Sequence, residues 1–221
     1  FACSYAAFGM ALNIIRSFKD YGWCSFFRVF DSGGTIEGLP THTFPTDDGG
    51  VDMKCPTEVT IGDRREAELA KAGLMPLLHR KNTDNASFIG AQSLHKPAVY
   101  EDPDATANAN LSARLPYLFA TCRFAHYLKC MVRDKIGSFK ERADMERWLN
   151  DWILQYVDGN PATSSEGTKA RKPLAAAEVK VQADPENPGY YKSQFFLRPH
   201  YQLEGLSVSL RLVSKLPSEK Q

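Results

Sequence analysis

Spaced metal ligands are missing from this chain of 221 residues. Its histidines, His42, His79, His95, His126 and His200, include no HxxxH pair, and its cysteines, Cys3, Cys24, Cys55, Cys122 and Cys130, include no CxxC pair. Zinc sites are built on such spacings, so neither a metal nor any other cofactor is expected. GxSxG, GxGxxG and Walker-type loops are absent as well, which removes the sequence grounds for a hydrolase elbow, a dinucleotide fold or a phosphate cradle. Charge of one sign is not in excess: 27 Lys and Arg face 26 Asp and Glu, for a formal net charge of +1. No global field draws the protein toward nucleic acid or an anionic membrane. No stretch approaches the roughly 20 apolar residues of a membrane helix, and no basic start precedes an apolar run as in a secretory leader, so no membrane insertion is expected. Five cysteines, odd in number and widely spaced among apolar neighbours, read as reduced, packed thiols in a cytoplasm.

What is present suffices for a core, since 43% of residues are hydrophobic. The chain opens "FACSYAAFGMALNIIRSF", already inside an apolar-periodic helix and without an initiator Met, and so reads as part of a longer protein. Ala6 to Phe18 carries Phe8, Leu12, Ile15 and Phe18 at helical spacing. "GWCSFFRVF" reads as a strand and "DSGG", Asp31 to Gly34, as a tight reversal. "TEVTIG", Thr57 to Gly62, reads as a short strand feeding a helix with Asp63 as N-cap and Glu66 three residues on. "LMPLLH" then returns as a strand in a βαβ-like unit. Residues 82–110 read as a long irregular connection. Two strong helices follow. Ala113 to Lys135 has Pro116 in its first turn, and Ser138 to Val157 opens on a Ser138/Glu141 capping box and puts Met145, Trp148, Leu149, Trp152, Ile153 and Tyr156 on one face. "DGNPATSSEGTKARKP", Asp158 to Pro173, has the composition of a mobile linker and is a hinge candidate. Beyond it "AEVKVQA", "GYYKSQFFLR" and "LSVSLRLVSK" read as three strands. The fold class is therefore mixed α/β, helices packed on a mixed sheet, with a C-terminal β-strand module.

Candidates for chemistry are thin. An enzyme reading would place a site among His42, Asp47 and His126, although His126 sits among Phe124, Tyr127 and Leu128 as a structural histidine would. "TDDGG" reads as a turn rather than a calcium loop, "GDRREAEL" as an amphipathic helix start, and "KARKP" as a solvated surface. The stronger signal is interfacial. Tyr190, Tyr191, Phe195, Phe196 and Tyr201 crowd one terminal hairpin with Arg198 among them, and aromatic residues with Arg are enriched in interface hot spots. In "LSVSLRLVSK", Leu206, Val208, Leu210 and Leu212 alternate with Ser207, Ser209 and Arg211, the pattern of a half-buried strand that can close its own sheet or be lent to a neighbour.

Long blocks of the chain carry a resemblance. "RLPYLFATCRFAHYLKCMVRDKIGSF", "ERWLNDWILQYV", "KARKPLAAAEVKV", "FFLRPHYQLEGLSVSLRLVSKLP", "YGWCSFFR", "EGLPTHTF", "VDMKCPTEVTIGDRREAELAKAGLMPL" and "FIGAQSLHKP" closely resemble the large subunit of the type VI secretion contractile sheath, the family called TssC, VipB or EvpB. The family's subunit is about twice as long as this chain, which is similar to its C-terminal half. The resemblance implies a structural protein and not an enzyme, with a sheath body over 1–157, a linker over 158–173 and a strand module for assembly over 174–221. It implies as partners a small sheath subunit (TssB or VipA), other copies of the large subunit, the Hcp inner tube, the baseplate and the ClpV ATPase, in the bacterial cytoplasm. It also implies that the C-terminal strands join an inter-subunit sheet. Tyr190, Phe195, Phe196, Arg198, Tyr201, Leu206, Val208, Leu210 and Leu212 are then the expected interface residues.

Overall fold

Polar side chains pin the first helix to the body of the protein. The computed structural model describes residues 4–30, 32–135, 142–183, 191–200 and 210–216. In chain order these form α1 (Ala6–Tyr21), β1 (Thr35–Ile36), β2 (His42–Pro45), β3 (Val51–Lys54), α2 (Asp63–Lys71), β4 (Leu77–His79) and β5 (Ala86–Phe88). They continue with α3 (Pro103–Ser112), α4 (Leu115–Asp134), α5 (Arg142–Leu154), α6 (Glu166–Arg171), β6 (Leu174–Ala183), β7 (Tyr191–Pro199) and β8 (Leu210–Leu216). The mixed α/β class is thus observed, with small antiparallel sheets. The chain divides into two units, Phe1–Val99 with Ala113–Pro116, and Tyr100–Ser112 with Tyr117–Gln221.

In the first unit, Met10 of α1 joins Phe27, Phe88 and Ala91 in a buried cluster, against which Ile14, Ile36, Met75, Leu77 and Leu115 pack. Asn13 Nδ2 donates to the Gly34 carbonyl at 2.8 Å and Ser17 Oγ donates to the Trp23 carbonyl at 2.9 Å. Gly34 is required there, because a Cβ would lie 2.2 Å from the Arg28 carbonyl carbon. The helix ends on Gly22, whose left-handed φ of 77° lets its N–H cap the Phe18 carbonyl. Three local expectations need correction. "GWCSFFRVF" is a folded-back loop, with Val29 at φ 67° and a lone bridge from Arg28 to Gly33, since both Phe26 and Phe27 are buried where a strand would alternate them. "TEVTIG" is irregular, and the expected βαβ unit is instead an antiparallel sheet in the order β1-β5-β4. Asp63 is not the N-cap of α2: Gly62 holds that position, and Asp63 and Glu66 act from the first turn, where carboxylates favour the helix dipole. "TDDGG" is the turn of the β2-β3 hairpin, closed by bonds between Thr46 and Gly50.

In the second unit, α4 turns Tyr117, Ala120, Thr121, Phe124, Leu128 and Val132 inward, and α5 answers with Leu149 and Ile153. Phe124 is fully buried, edge-on to Trp152 and Tyr156 at 6.1 and 5.4 Å between centroids. The stretch 82–110, expected to be irregular, holds β5 and α3. α3 buries only Leu111, so it has almost no apolar periodicity to reveal it, and it starts on Asp102, whose Oδ1 accepts from the Asp104 N–H at 3.0 Å. The Ser138/Glu141 capping box lies outside the described residues. Residues 158–173 fold on themselves as α6, capped by Ser165, whose Oγ accepts from the Thr168 N–H at 3.3 Å. Both ends of that segment are fastened together: Asp158 N–H donates to the Leu174 carbonyl at 2.9 Å and Leu174 N–H to the Tyr156 carbonyl at 3.2 Å. Among the described residues no helix is long and apolar enough to cross a membrane.

Candidate assembly edge of the C-terminal sheet

Every sheet that is not closed has two edges, and each edge is a row of unpaired backbone groups that must be covered or used. The C-terminal sheet runs β6-β7-β8, antiparallel throughout. Its β6 edge is covered from within the unit. Asn150 on α5 bonds both polar groups of Val179, its Nδ2 donating to the carbonyl at 2.7 Å and its Oδ1 accepting from the N–H at 2.9 Å. One turn earlier, Glu146 Oε2 accepts from the Val181 N–H at 2.8 Å. Two side chains four residues apart on a helix thus stand in for a fourth strand. Among the described residues nothing pairs beyond β8.

β7 alternates as a two-faced strand should. Ser193, Phe195, Leu197 and Pro199 are buried, while Lys192, Gln194, Phe196 and Arg198 are half-buried on the other face. Phe195 stands opposite Val179 on one side and Leu212 on the other, and Leu197 stands opposite Ala177 and Leu210. Of the expected interface residues, Phe195 is therefore already enclosed by its own unit, whereas Phe196 and Arg198 keep surface to offer. Leu210 and Leu212 are placed by register in β8, in line with Leu197 and Phe195. Tyr190, Tyr201, Leu206 and Val208 lie outside the described residues. The sequence carried no warning of Glu146 and Asn150, which break the apolar face of α5 as ordinary polar interruptions. Only the strand beside them gives them meaning.

At the root of the sheet, β7 ends on His200, whose N–H donates to the Pro173 carbonyl at 2.9 Å. Its ring is buried beside Asp158, with Nε2 3.8 Å from Oδ2 and neither atom hydrogen-bonded. Asp158 Oδ1 accepts from Ser164 Oγ at 2.8 Å and the Asn160 N–H at 3.1 Å, and these bonds, Ser164 first, hold its carboxyl below the usual range against the opposing effect of burial. Burial pushes the His200 imidazole below its ordinary value, more than the Asp158 charge raises it. A histidine with a depressed folded pKa binds fewer protons folded than unfolded, so its contribution is present at pH 7.5 and is lost as pH falls through the ordinary value near 6.5. His200→Asn should accordingly flatten the decline of the melting temperature between pH 7.5 and 5.5. The wild-type-minus-variant difference, read by calorimetry, also cancels the half-buried Glu66 of the first unit, whose raised pKa acts in the opposite direction. Parallel curves would show that His200 is not the group responsible.

The residues of the enzyme reading do not assemble into a described site. His42 is exposed at the open end of the β2-β3 hairpin, stacked on Phe44, and Asp47 is exposed in its turn. His126 is exposed on α4 of the other unit, 3.7 Å from Cys130 Sγ.

Two family models divide the chain between residues 95 and 104, near the Val99/Tyr100 division of the units, although Ala113–Pro116 of the first unit falls within the second match. The model of the EvpB/VC_A0108 tail sheath gpW/gp25-like domain matches residues 104–216, and that of the EvpB/VC_A0108 tail sheath N-terminal domain matches residues 1–95. The chain belongs to the EvpB/VC_A0108 tail sheath family. The gpW/gp25-like match takes in α4, α5 and all three strands of the C-terminal sheet, so the clipped β6 edge and strand β8 both lie inside the matched region. A relative, the type VI secretion system sheath protein TssC1 of Pseudomonas aeruginosa, is 75% identical over all 221 residues. The chain spans 44% of that relative's length.

Proposed function

We propose that this chain is a structural, non-enzymatic segment of a type VI secretion sheath subunit. In this reading it pairs with a small sheath subunit (TssB or VipA) and polymerises with further copies into a helical tube around the Hcp tube in the bacterial cytoplasm. Contraction from the baseplate drives the Hcp tube outward, and the ClpV ATPase then recovers the subunits. The observation that carries the reading is on the C-terminal sheet: α5 blocks one edge through Glu146 and Asn150, and among the described residues nothing pairs beyond β8, where a neighbour's strand would add. A strand added there gains a ladder of backbone hydrogen bonds, with side-chain contacts on both faces for specificity. Functionally, 174–221 is the assembly module, 158–173 its tether and 1–157 the body, with Phe196 and Arg198 as the half-buried contacts a neighbour would cover. Electron microscopy of the longer subunit co-expressed with its small partner tests this reading, which requires hollow tubes; discrete globular particles at every protein concentration would overturn it.

A further inference from the structure

α1 is amphipathic the wrong way round. Its inward side holds Met10 together with the buried polar residues Asn13 and Ser17, both hydrogen-bonded to backbone carbonyls. Its outward side presents Phe8, Leu12, Ile15 and Phe18, which are 63, 59, 62 and 51% exposed, with the N-cap residue Tyr5, 82% exposed, at their head. Steps of three and four residues keep these five side chains in one stripe along the helix. Single exposed apolar residues are ordinary, but a continuous stripe of large ones marks a surface that something covers.

We infer that the outer face of α1 seats a helix from the part of the longer sheath subunit that lies outside these 221 residues. The inference rests on the sheath reading for the existence of that polypeptide: the TssC1 relative matches this chain over only 44% of its own length, leaving more than half of it to be placed. The 3-4 spacing of the stripe is the spacing into which the ridges of a second helix fit. The stripe carries no charge of its own, so a charged surface gains nothing by docking there. Covering it within the same polypeptide also removes an aggregation surface before any partner is met.

Hydroxyl-radical footprinting of the full-length subunit, taken as the monomeric fraction, tests this against internal standards of the same residue type. Leu12 should oxidise roughly tenfold more slowly than the open Leu94, close to the buried Leu78, and Phe8 should follow the buried Phe27 rather than Phe44, because burial removes most of a side chain's accessible surface. Leu12 and Phe8 reacting like Leu94 and Phe44 in the monomer would overturn the inference, and protection gained only in tubes would assign the face to another subunit. Where the subunit is soluble only with its small partner, a photo-crosslinker placed at position 12 decides the same question. Capture of a peptide from the same polypeptide supports the inference, and capture of the small subunit or of a second copy refutes it. Tube formation tests the sheath reading separately, so the two can fail independently.

Discussion

Replacing Phe124 by Ala is expected to destabilise the second unit by about 3–5 kcal/mol, the range for removing a fully buried aromatic side chain. The ring is completely enclosed and meets Trp152 and Tyr156 edge-on, so truncation removes apolar burial and two aromatic contacts at once. α4 and α5 are both long enough to resist collapse around the hole, and a cavity that cannot close adds to the loss. Urea unfolding followed by tryptophan fluorescence is a suitable readout because Trp148 and Trp152 both lie in this unit, and Trp23→Phe removes the signal of the first. Leu154→Ala, at a side chain 51% exposed at the end of α5, serves as the control and should change stability by less than about 1 kcal/mol. A loss that small at Phe124 would mean that the core does not depend on this ring.

Asn150→Ala should have the next largest effect and a more specific signature. Its amide makes two hydrogen bonds to Val179, and their removal leaves a backbone donor and a backbone acceptor unpaired on a half-buried edge. Each orphaned group costs about 1–3 kcal/mol when water cannot replace the bond. The Val179 amide, read by hydrogen exchange, should lose protection while Leu149 and Ile153 on α5 keep theirs. Asn150→Asp separates the two bonds: a carboxylate still accepts from the Val179 N–H but sets oxygen against the Val179 carbonyl, so most of the loss remains above the carboxyl pKa. Unchanged exchange at Val179 in both variants would remove the basis for calling the β6 edge closed. A freed β6 edge also offers strand pairing on the wrong side of the sheet, so these variants should aggregate more readily than Phe124→Ala variants of equal stability.

Much of this organisation was legible in the sequence, and the reasons differ element by element. α4 and α5 announce themselves because each repeats apolar residues with helical period. β6 and β7 do so because their inward residues alternate. α3 was missed because a ten-residue helix that buries one leucine has no period to detect. α1 was found from Phe8, Leu12, Ile15 and Phe18, yet this periodicity says only that the face is apolar, not that this unit covers it. Composition read 158–173 as a mobile hinge, whereas the structure ties Asp158 to Leu174 and caps α6 with Ser165; any hinge motion there must first open those bonds. The enclosed Phe195 and the half-buried Phe196 are indistinguishable in composition and are separated only by strand register. Glu146 and Asn150 illustrate the same limit: long-range partners decide a polar residue's role, and nothing in its own neighbourhood records them.

If the β6 side of the C-terminal sheet is sealed and its β8 edge takes a strand from a neighbouring subunit, removing β8 removes the assembly surface. The most direct test is electron microscopy of the full-length subunit co-expressed with its small sheath partner, intact and truncated after Glu204, with circular dichroism confirming that the truncated subunit remains folded. The account predicts tubes from the intact pair and none from the folded truncation. Tubes of normal length from both would contradict it and show that assembly does not use the β8 edge.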